Sequence, residues 1–255
     1  MSTLRARCAA CGTLTAVALG DGYECHSCGD VARAGLVRVP AAWGAGGEAM
    51  AEAAGLPLPY PETRVVREAT LEAQTAAIAA DLPRPALVLG GCCCSHLGAI
   101  RGLAQRHGRL AVVWLDAHGD LNTPETSPSG NAWGMPLRMA LDEGSVSSAD
   151  VALVGARSLD PAESAYLAEH GIDDDVARAL AATEAVYVAL DGDVLAPGAL
   201  DVFMPEPGGP TADEVGASLR AVAAAGVPLA GAGVTGLRPG ADAEVVVRLL
   251  RALGL

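Results

Sequence analysis

Short apolar runs rich in Val, Leu and Ala recur from Leu36 onward, each bounded by Gly, Pro or Asp. Between them the apolar positions fall back to helical spacing. The runs predict strands at Leu36–Val39, Ala86–Leu89, Ala111–Leu115, Val151–Val154, Val186–Leu190 and Pro228–Val234. The amphipathic stretches predict helices at Val66–Ala80, Ser95–His107, Pro161–His170, Asp173–Ala182, Thr211–Ala225 and Asp242–Leu253. Alternation of strand and helix specifies an α/β fold: a doubly wound, mainly parallel sheet with helices on both faces. Its site is expected at the carboxyl ends of the strands. Residues Ala41–Glu62, rich in Gly, Ala and Pro, read as a loop over the sheet, and no internal repeat is present.

With 255 residues, 51% hydrophobic and only 3% aromatic, the chain suffices for one large α/β domain plus a small appendage. Its net charge of −13, without any basic patch, argues against nucleic acid and against an acidic membrane surface as partners. No apolar window reaches the roughly 18 residues of a membrane helix. The start MSTLRARCAACG lacks the apolar stretch of a signal peptide, so a cytoplasmic location is expected. Seven cysteines in two tight clusters then suggest reduced thiols and metal rather than disulfides.

The first cluster holds two CxxC pairs, Cys8/Cys11 and Cys25/Cys28, separated by thirteen residues. Four thiolates at that spacing can close a tetrahedral structural zinc site. A redox CxxC would want a thioredoxin-like βαβ context that is absent here. Residues 1–34 thus read as a zinc-ribbon-like module too small to fold without its metal, and residues 35–255 as the α/β domain. His26 reads as a spectator.

Acidic residues gather at two strand ends. VVWLDAHGD brings Asp116, His118 and Asp120, which in an extended segment would project to one side, and YVALDGD brings Asp191 and Asp193. One Asp per strand end could cap a following helix, but four acids and a histidine at alternate positions cannot all be caps. Burying such charge costs several kcal/mol per ion unless cations offset it. The cluster therefore predicts a metal site.

LDAHGDLNTPETSPSGN resembles the DAHxD…NTP…SGN block of the arginase/agmatinase superfamily, the ureohydrolases. ALDGD resembles the second aspartate pair of that family, and GGCCCSHLGAI its GGDHSxxxG turn. The resemblance runs from about Gly35 to Leu255. It implies an arginase-like sheet, a trimer or hexamer, and a binuclear manganese centre that activates water against a guanidinium carbon and releases urea. Matched residue by residue, Asp116 and Asp191 would bridge both metals, Asp120 would bind one, and His118 and Asp193 the other. Cys93 stands where the family usually has its remaining histidine ligand. A thiolate there would let zinc or iron compete with manganese. Cys92 and Cys94, in the family's Asp and Ser positions, read as small-residue packing at a tight turn, with thiol chemistry as a further option. His96, one helical turn beyond Cys93, is a candidate ligand or proton donor, or a satisfied core histidine.

The departures bear on the substrate. Trp133 replaces the proton-shuttle histidine that the family carries after SGN, leaving the proton donor unassigned. Gly236, followed closely by Arg238, stands where the family has the glutamate that pairs with guanidinium. That counter-charge is worth about 2–5 kcal/mol when buried. Asn122, Ser129, Asp160 and Glu163 match residues on the amino-acid end of the substrate, and Glu125 and Glu206 lie on loops expected at the mouth. The expectation is a binuclear metallohydrolase of a small, polar amidine-like molecule other than arginine. The alternative is a non-catalytic metal-binding scaffold whose head docks a partner.

Overall fold

The computed structural model describes residues 5–255, so the first four residues of the expected head lie outside the described residues. The head carries β1 (Ala16–Leu19), β2 (Gly22–Cys25) and β3 (Val31–Ala32), paired antiparallel in that order. There follow β4 (Gly35–Val39), α1 (Glu48–Ala53), β5 (Glu62–Val65), α2 (Leu71–Ala80), β6 (Ala86–Gly90) and α3 (Cys94–His107). Next come β7 (Leu110–Leu115), α4 (Pro136–Asp142), β8 (Val151–Val154), α5 (Pro161–His170) and α6 (Val176–Leu180). β9 (Ala185–Asp191), α7 (Ala212–Ala224), β10 (Leu229–Thr235) and α8 (Ala243–Ala252) complete the chain.

Strands β4 to β10 form one seven-stranded sheet in the order β5-β4-β6-β10-β9-β7-β8, every pairing parallel. All six expected strands are present. Their side chains alternate between two apolar layers, as a period of two requires. Leu87, Leu89, Val113, Leu115, Val188 and Leu190 enter the layer under α7 and α8. Val88, Val112, Trp114, Tyr187 and Ala189 enter the opposite layer, against α3. Thr211 and Glu214 close α7 with a reciprocal capping box.

Three expectations are corrected. The helix expected from Val66 begins at Leu71, where Thr70 caps it. The segment read as a loop contains α1, and Glu62 at its end opens β5. The edge strand escaped notice because ETRV has no apolar face; backbone pairing with β4 and an Arg38–Glu62 ion pair of 2.7 Å hold it instead. The free side of β5 is covered by the head, with Arg7 and Glu62 exchanging two backbone hydrogen bonds of 2.8 Å. An open edge would otherwise offer unpaired N–H and C=O groups to other chains.

Candidate metal centre and cavity

The neighbours β6, β10, β9 and β7 end side by side, and the turn after each one meets the others. β6 runs into Gly90–Gly91, where a Cβ would overlap Ser95 or the backbone of Ala41. The turn closes tightly and sets Cys93 just ahead of α3. Its Sγ lies 2.8 Å from Asp191 Oδ2, 3.2 Å from Thr235 Oγ1 and 3.9 Å from Asp116 Oδ2.

The strand carrying Asp116 does not continue extended to Asp120, as expected. β7 ends at Leu115, the His118 amide folds back onto Asp116 Oδ1 at 2.7 Å, and Asp120 adopts a φ of 50°. The three residues converge through a turn rather than through strand alternation. Asp191 Oδ1 accepts the Asp193 N–H at 3.0 Å, and Asp193 Oδ1 accepts the Ala117 N–H at 3.0 Å, which ties the β9 turn to the β7 turn. His118 Nδ1 lies 3.1 Å from Asp193 and 3.4 Å from Asp116, while its Nε2 faces Glu206 at 3.4 Å.

Two overlapping donor groups result, Cys93/Asp116/Asp120 and Asp116/His118/Asp193, with the donor atoms in each within 4.8 Å of one another. Asp116 belongs to both, and Asp191 touches the first through Cys93. All four aspartates are buried. Burial, with mutual repulsion, pushes Asp191 up to about 7 and Asp193 to about 6, and raises Asp116 and Asp120 as well. Burial opposes a charged His118, yet its hydrogen bonds to Asp116 and Asp193, which accept from it, push it up to about 12. Burial, with the charges of Asp191, Asp120 and Asp116, lifts the Cys93 thiol well above its ordinary value. Among the described residues no arginine pairs with these acids, and Asp120 Oδ2 is buried without a hydrogen-bond partner. A donor set of carboxylate, imidazole and thiolate with an orphaned oxygen suits divalent cations.

The head presents a second donor set. Cys8 and Cys28 sulfurs are 3.7 Å apart, and Cys11 and Cys25 sulfurs 3.6 Å. A tetrahedron with Zn–S bonds of about 2.3 Å has sulfur–sulfur edges of about 3.8 Å. Hydrogen bonds, led by the Thr15 hydroxyl, pull Cys25 down to about 5, in favour of a thiolate.

Above the aspartates lies a cavity of about 470 Å³. Asn122, Ser129, Trp133 and Asp160 line it, and Asn122 Nδ2 donates to Asp160 Oδ2 at 2.8 Å. Trp133 packs edge-on against Phe203 with ring centroids 5.8 Å apart, forming an apolar rim. Glu163 also borders the cavity, but its two oxygens accept the Leu121 and Asp160 amides at 3.0 and 2.9 Å. It fastens the loop after Asp120 to α5. Cys92 and Cys94 sit in an apolar cluster with Met50, as packing residues would.

The structure also places the remaining candidates. His96 is fully buried behind the centre, bonded to Tyr187 and Thr235, and burial lowers it to about 3, so it presents no proton to the cavity. Glu125 is exposed away from the cavity lining, and Arg238 lies outside it, over the Phe203 ring. Glu206 does line the cavity.

Sequence reasoning missed Arg157, whose guanidinium donates to six backbone carbonyls, among them those of Asp193, Val194 and Glu206. It moulds the loop carrying Glu206. It also missed Thr235, for which the only signal was its place at the end of the small-residue run AGAGVT.

A doubly wound parallel sheet with acids at the tips of its central strands defines the class of protein. The Arginase family model matches residues 4–253, and the chain belongs to that family. The match takes in the head as well as the segment from Gly35. Arginase from Bacillus subtilis (strain 168) is 38% identical over 139 residues, 44% of this chain and 47% of that protein. The sequence match thus spans about half the length of that relative. The crystal structure of Bacillus subtilis arginase superposes with a TM-score of 0.75 at 25% identity, covering 86% of this chain and 97% of that one. Formimidoylglutamase from Bacillus subtilis shares the fold, with a TM-score of 0.68 at 20% identity over 87% of each chain.

Proposed function

We propose that this protein is a binuclear metal-dependent hydrolase of a non-peptide C–N bond in a small amidine- or guanidine-like substrate other than L-arginine. One observation carries the reading: six donors converge beneath a cavity, with buried carboxylates that no arginine neutralises. Cys93, Asp116, Asp120 and Asp191 would hold one ion, and Asp116, His118, Asp191 and Asp193 the other. Manganese is the ion implied by resemblance, with zinc or iron admitted by Cys93. Bound there, two divalent ions supply Lewis acidity and a water nucleophile near neutral pH.

The chain's own groups orient the substrate. Asn122, Ser129 and Asp160 take its polar end and Trp133 closes over it, while Glu163 positions the loop. Gly236 offers no counter-charge: at its φ of 73° a Cβ would overlap the Asp191 carboxylate. Glu206, held by Arg157 beside His118, is the carboxylate left to orient an amidine N–H. That arrangement favours a neutral amidine, an imine or a modified guanidine.

The head, residues 1–34, is in this reading a zinc-ribbon-like module with one structural zinc on Cys8, Cys11, Cys25 and Cys28. No helix of the described residues is long and apolar enough to cross a membrane. We place the protein in the cytoplasm as a homo-oligomer, a trimer or hexamer, acting on a small nitrogen-containing molecule without nucleic acid or membrane.

Metal analysis tests the reading first, with three ions per chain expected. A screen of amidines and guanidines with manganese, zinc or iron, scored for urea, ammonia and amine, tests it second. Turnover of an uncharged or modified substrate with arginine inert is the expected result. A flat screen from protein with a filled sheet site overturns the hydrolase reading in favour of a scaffold.

A further inference from the structure

The two donor groups differ in one kind of atom. Cys93 brings sulfur to Asp116 and Asp120, whereas Asp116, His118 and Asp193 offer oxygen and nitrogen alone. Behind the sulfur a polar chain crosses the apolar layer. Tyr187 Oη lies 2.9 Å from His96 Nδ1, His96 Nε2 3.1 Å from Thr235 Oγ1, and Thr235 Oγ1 3.2 Å from both Cys93 Sγ and Asp191 Oδ2. Tyr187, His96 and Thr235 are wholly buried.

With a thiolate and a carboxylate as terminal acceptors, one arrangement of protons satisfies the chain. The tyrosine O–H donates to Nδ1, the Nε2–H donates to Thr235, and the threonine O–H points to the sulfur and Asp191. Such a chain suits an apolar layer only when complete. The fold makes room for it at Gly233, where a Cβ would overlap the Tyr187 hydroxyl and come within 2.7 Å of His96 Nδ1.

We infer that the centre is chemically unsymmetrical: its Cys93 half favours a thiophilic ion such as zinc over manganese more strongly than its His118 half does, and the Tyr187–His96–Thr235 chain positions the Cys93 thiolate as a ligand. The inference rests on the reading of the sheet site as binuclear. Soft sulfur favours zinc over manganese, and donors behind a ligand fix its orientation and tune its affinity. Thr235, His96 and Tyr187 are positioning residues: they act through Cys93 and Asp191 and do not border the cavity.

Cobalt(II) is the probe, titrated into metal-free full-length protein and into its Cys93→His variant. The head thiolates are common to both, so the difference spectrum reports Cys93 alone. A thiolate-to-cobalt charge-transfer band is expected in that difference, saturating at one equivalent. As manganese is raised against a fixed low zinc concentration, the wild-type sheet should give up zinc from the His118 half first and keep one zinc, whereas in Cys93→His both halves should exchange over a similar range. Thr235→Val should weaken zinc in the Cys93 half by about 10–100-fold, and the ion in the His118 half, reached through Asp191 alone, by less. Cadmium-113 resonances of the wild-type protein give a reading independent of any variant, with one of the two sheet signals shifted by sulfur. A flat difference spectrum with two cobalt ions in each sheet, or two sulfur-free cadmium signals, overturns the asymmetry and leaves the binuclear reading standing. A wild-type sheet that binds no ion overturns both.

Discussion

Returning a glutamate to position 236 would be the direct way to rebuild a guanidinium site, and the structure predicts that it fails. Gly236 sits at a φ of 73°, and any Cβ there overlaps both oxygens of Asp191. Even Gly236→Ala meets three effects. The left-handed backbone costs about 1–2 kcal/mol for an L-residue. Overpacking against a fixed neighbour adds about 1–3 kcal/mol. Lower unfolded-state entropy returns about 0.4–1 kcal/mol. The balance centres near 3 kcal/mol, and at about 2–4 °C per kcal/mol for a chain of this size Tm should fall by roughly 6–12 °C. Because the displaced group is a proposed ligand, ions should be lost from the sheet while the zinc proposed for the head stays. Scanning calorimetry and elemental analysis read the two effects separately. Gly236→Glu should behave no better than alanine and gain no arginine hydrolysis. A Gly236→Ala protein with unchanged Tm and a full sheet complement would refute the reasoning about Asp191.

Glu206→Gln should lower kcat/KM for the best amidine roughly tenfold or more, as loss of a charged hydrogen-bond acceptor does, with metal content unchanged by elemental analysis. Glu163→Gln leaves one of two backbone amides facing an NH2 group, so the denaturation midpoint should drop by the equivalent of about 1–3 kcal/mol. Cys25→Ser should lose one zinc per chain, keep the sheet ions and raise light scattering as the head lets go of β5. In metal-free protein, Asp191 near about 7 and Asp193 near about 6 bind more protons folded than unfolded. Stability without metal should therefore fall as pH rises from about 4 through 7, and loaded protein, whose ions displace protons, should show the opposite trend in urea titrations at the two ends.

What could be read from sequence follows from where each signal is local. β6, β7 and β9 are buried on both faces, so their apolar runs are continuous and their positions are legible within a residue. The candidate ligands announce themselves because acids directly after such runs have no apolar role. β5 and α1 carry no such mark, since ETRV is held by backbone pairing and the helix Glu48–Ala53 lies among glycines and alanines. The meeting of Thr235, Tyr187 and His96 stayed hidden for a different reason. Their meeting depends on β10 lying between β6 and β9, a sheet order that no stretch of sequence contains. Asp116, His118 and Asp120 were found by the right spacing and the wrong geometry, because the turn, not the strand, brings them together.

Two departures from the family resemblance share one electrostatic account. A neutral imidazole gives way to Cys93 below the ion positions, and a carboxylate gives way to Gly236 beside Asp191. With Cys93 as thiolate, the formal negative charge around the centre is unchanged in sum but moved from the substrate's side to the ions' side. Ions held by an additional anion are weaker Lewis acids, and a cavity without its glutamate no longer repays the desolvation of a guanidinium. Both changes disfavour the cationic, resonance-stabilised substrate. In the proposed reading, a neutral amidine, whose burial costs less, loses less by either. Glu206, positioned by Arg157 and a quarter exposed, then needs only to accept an N–H, which a carboxylate in partial contact with water can do.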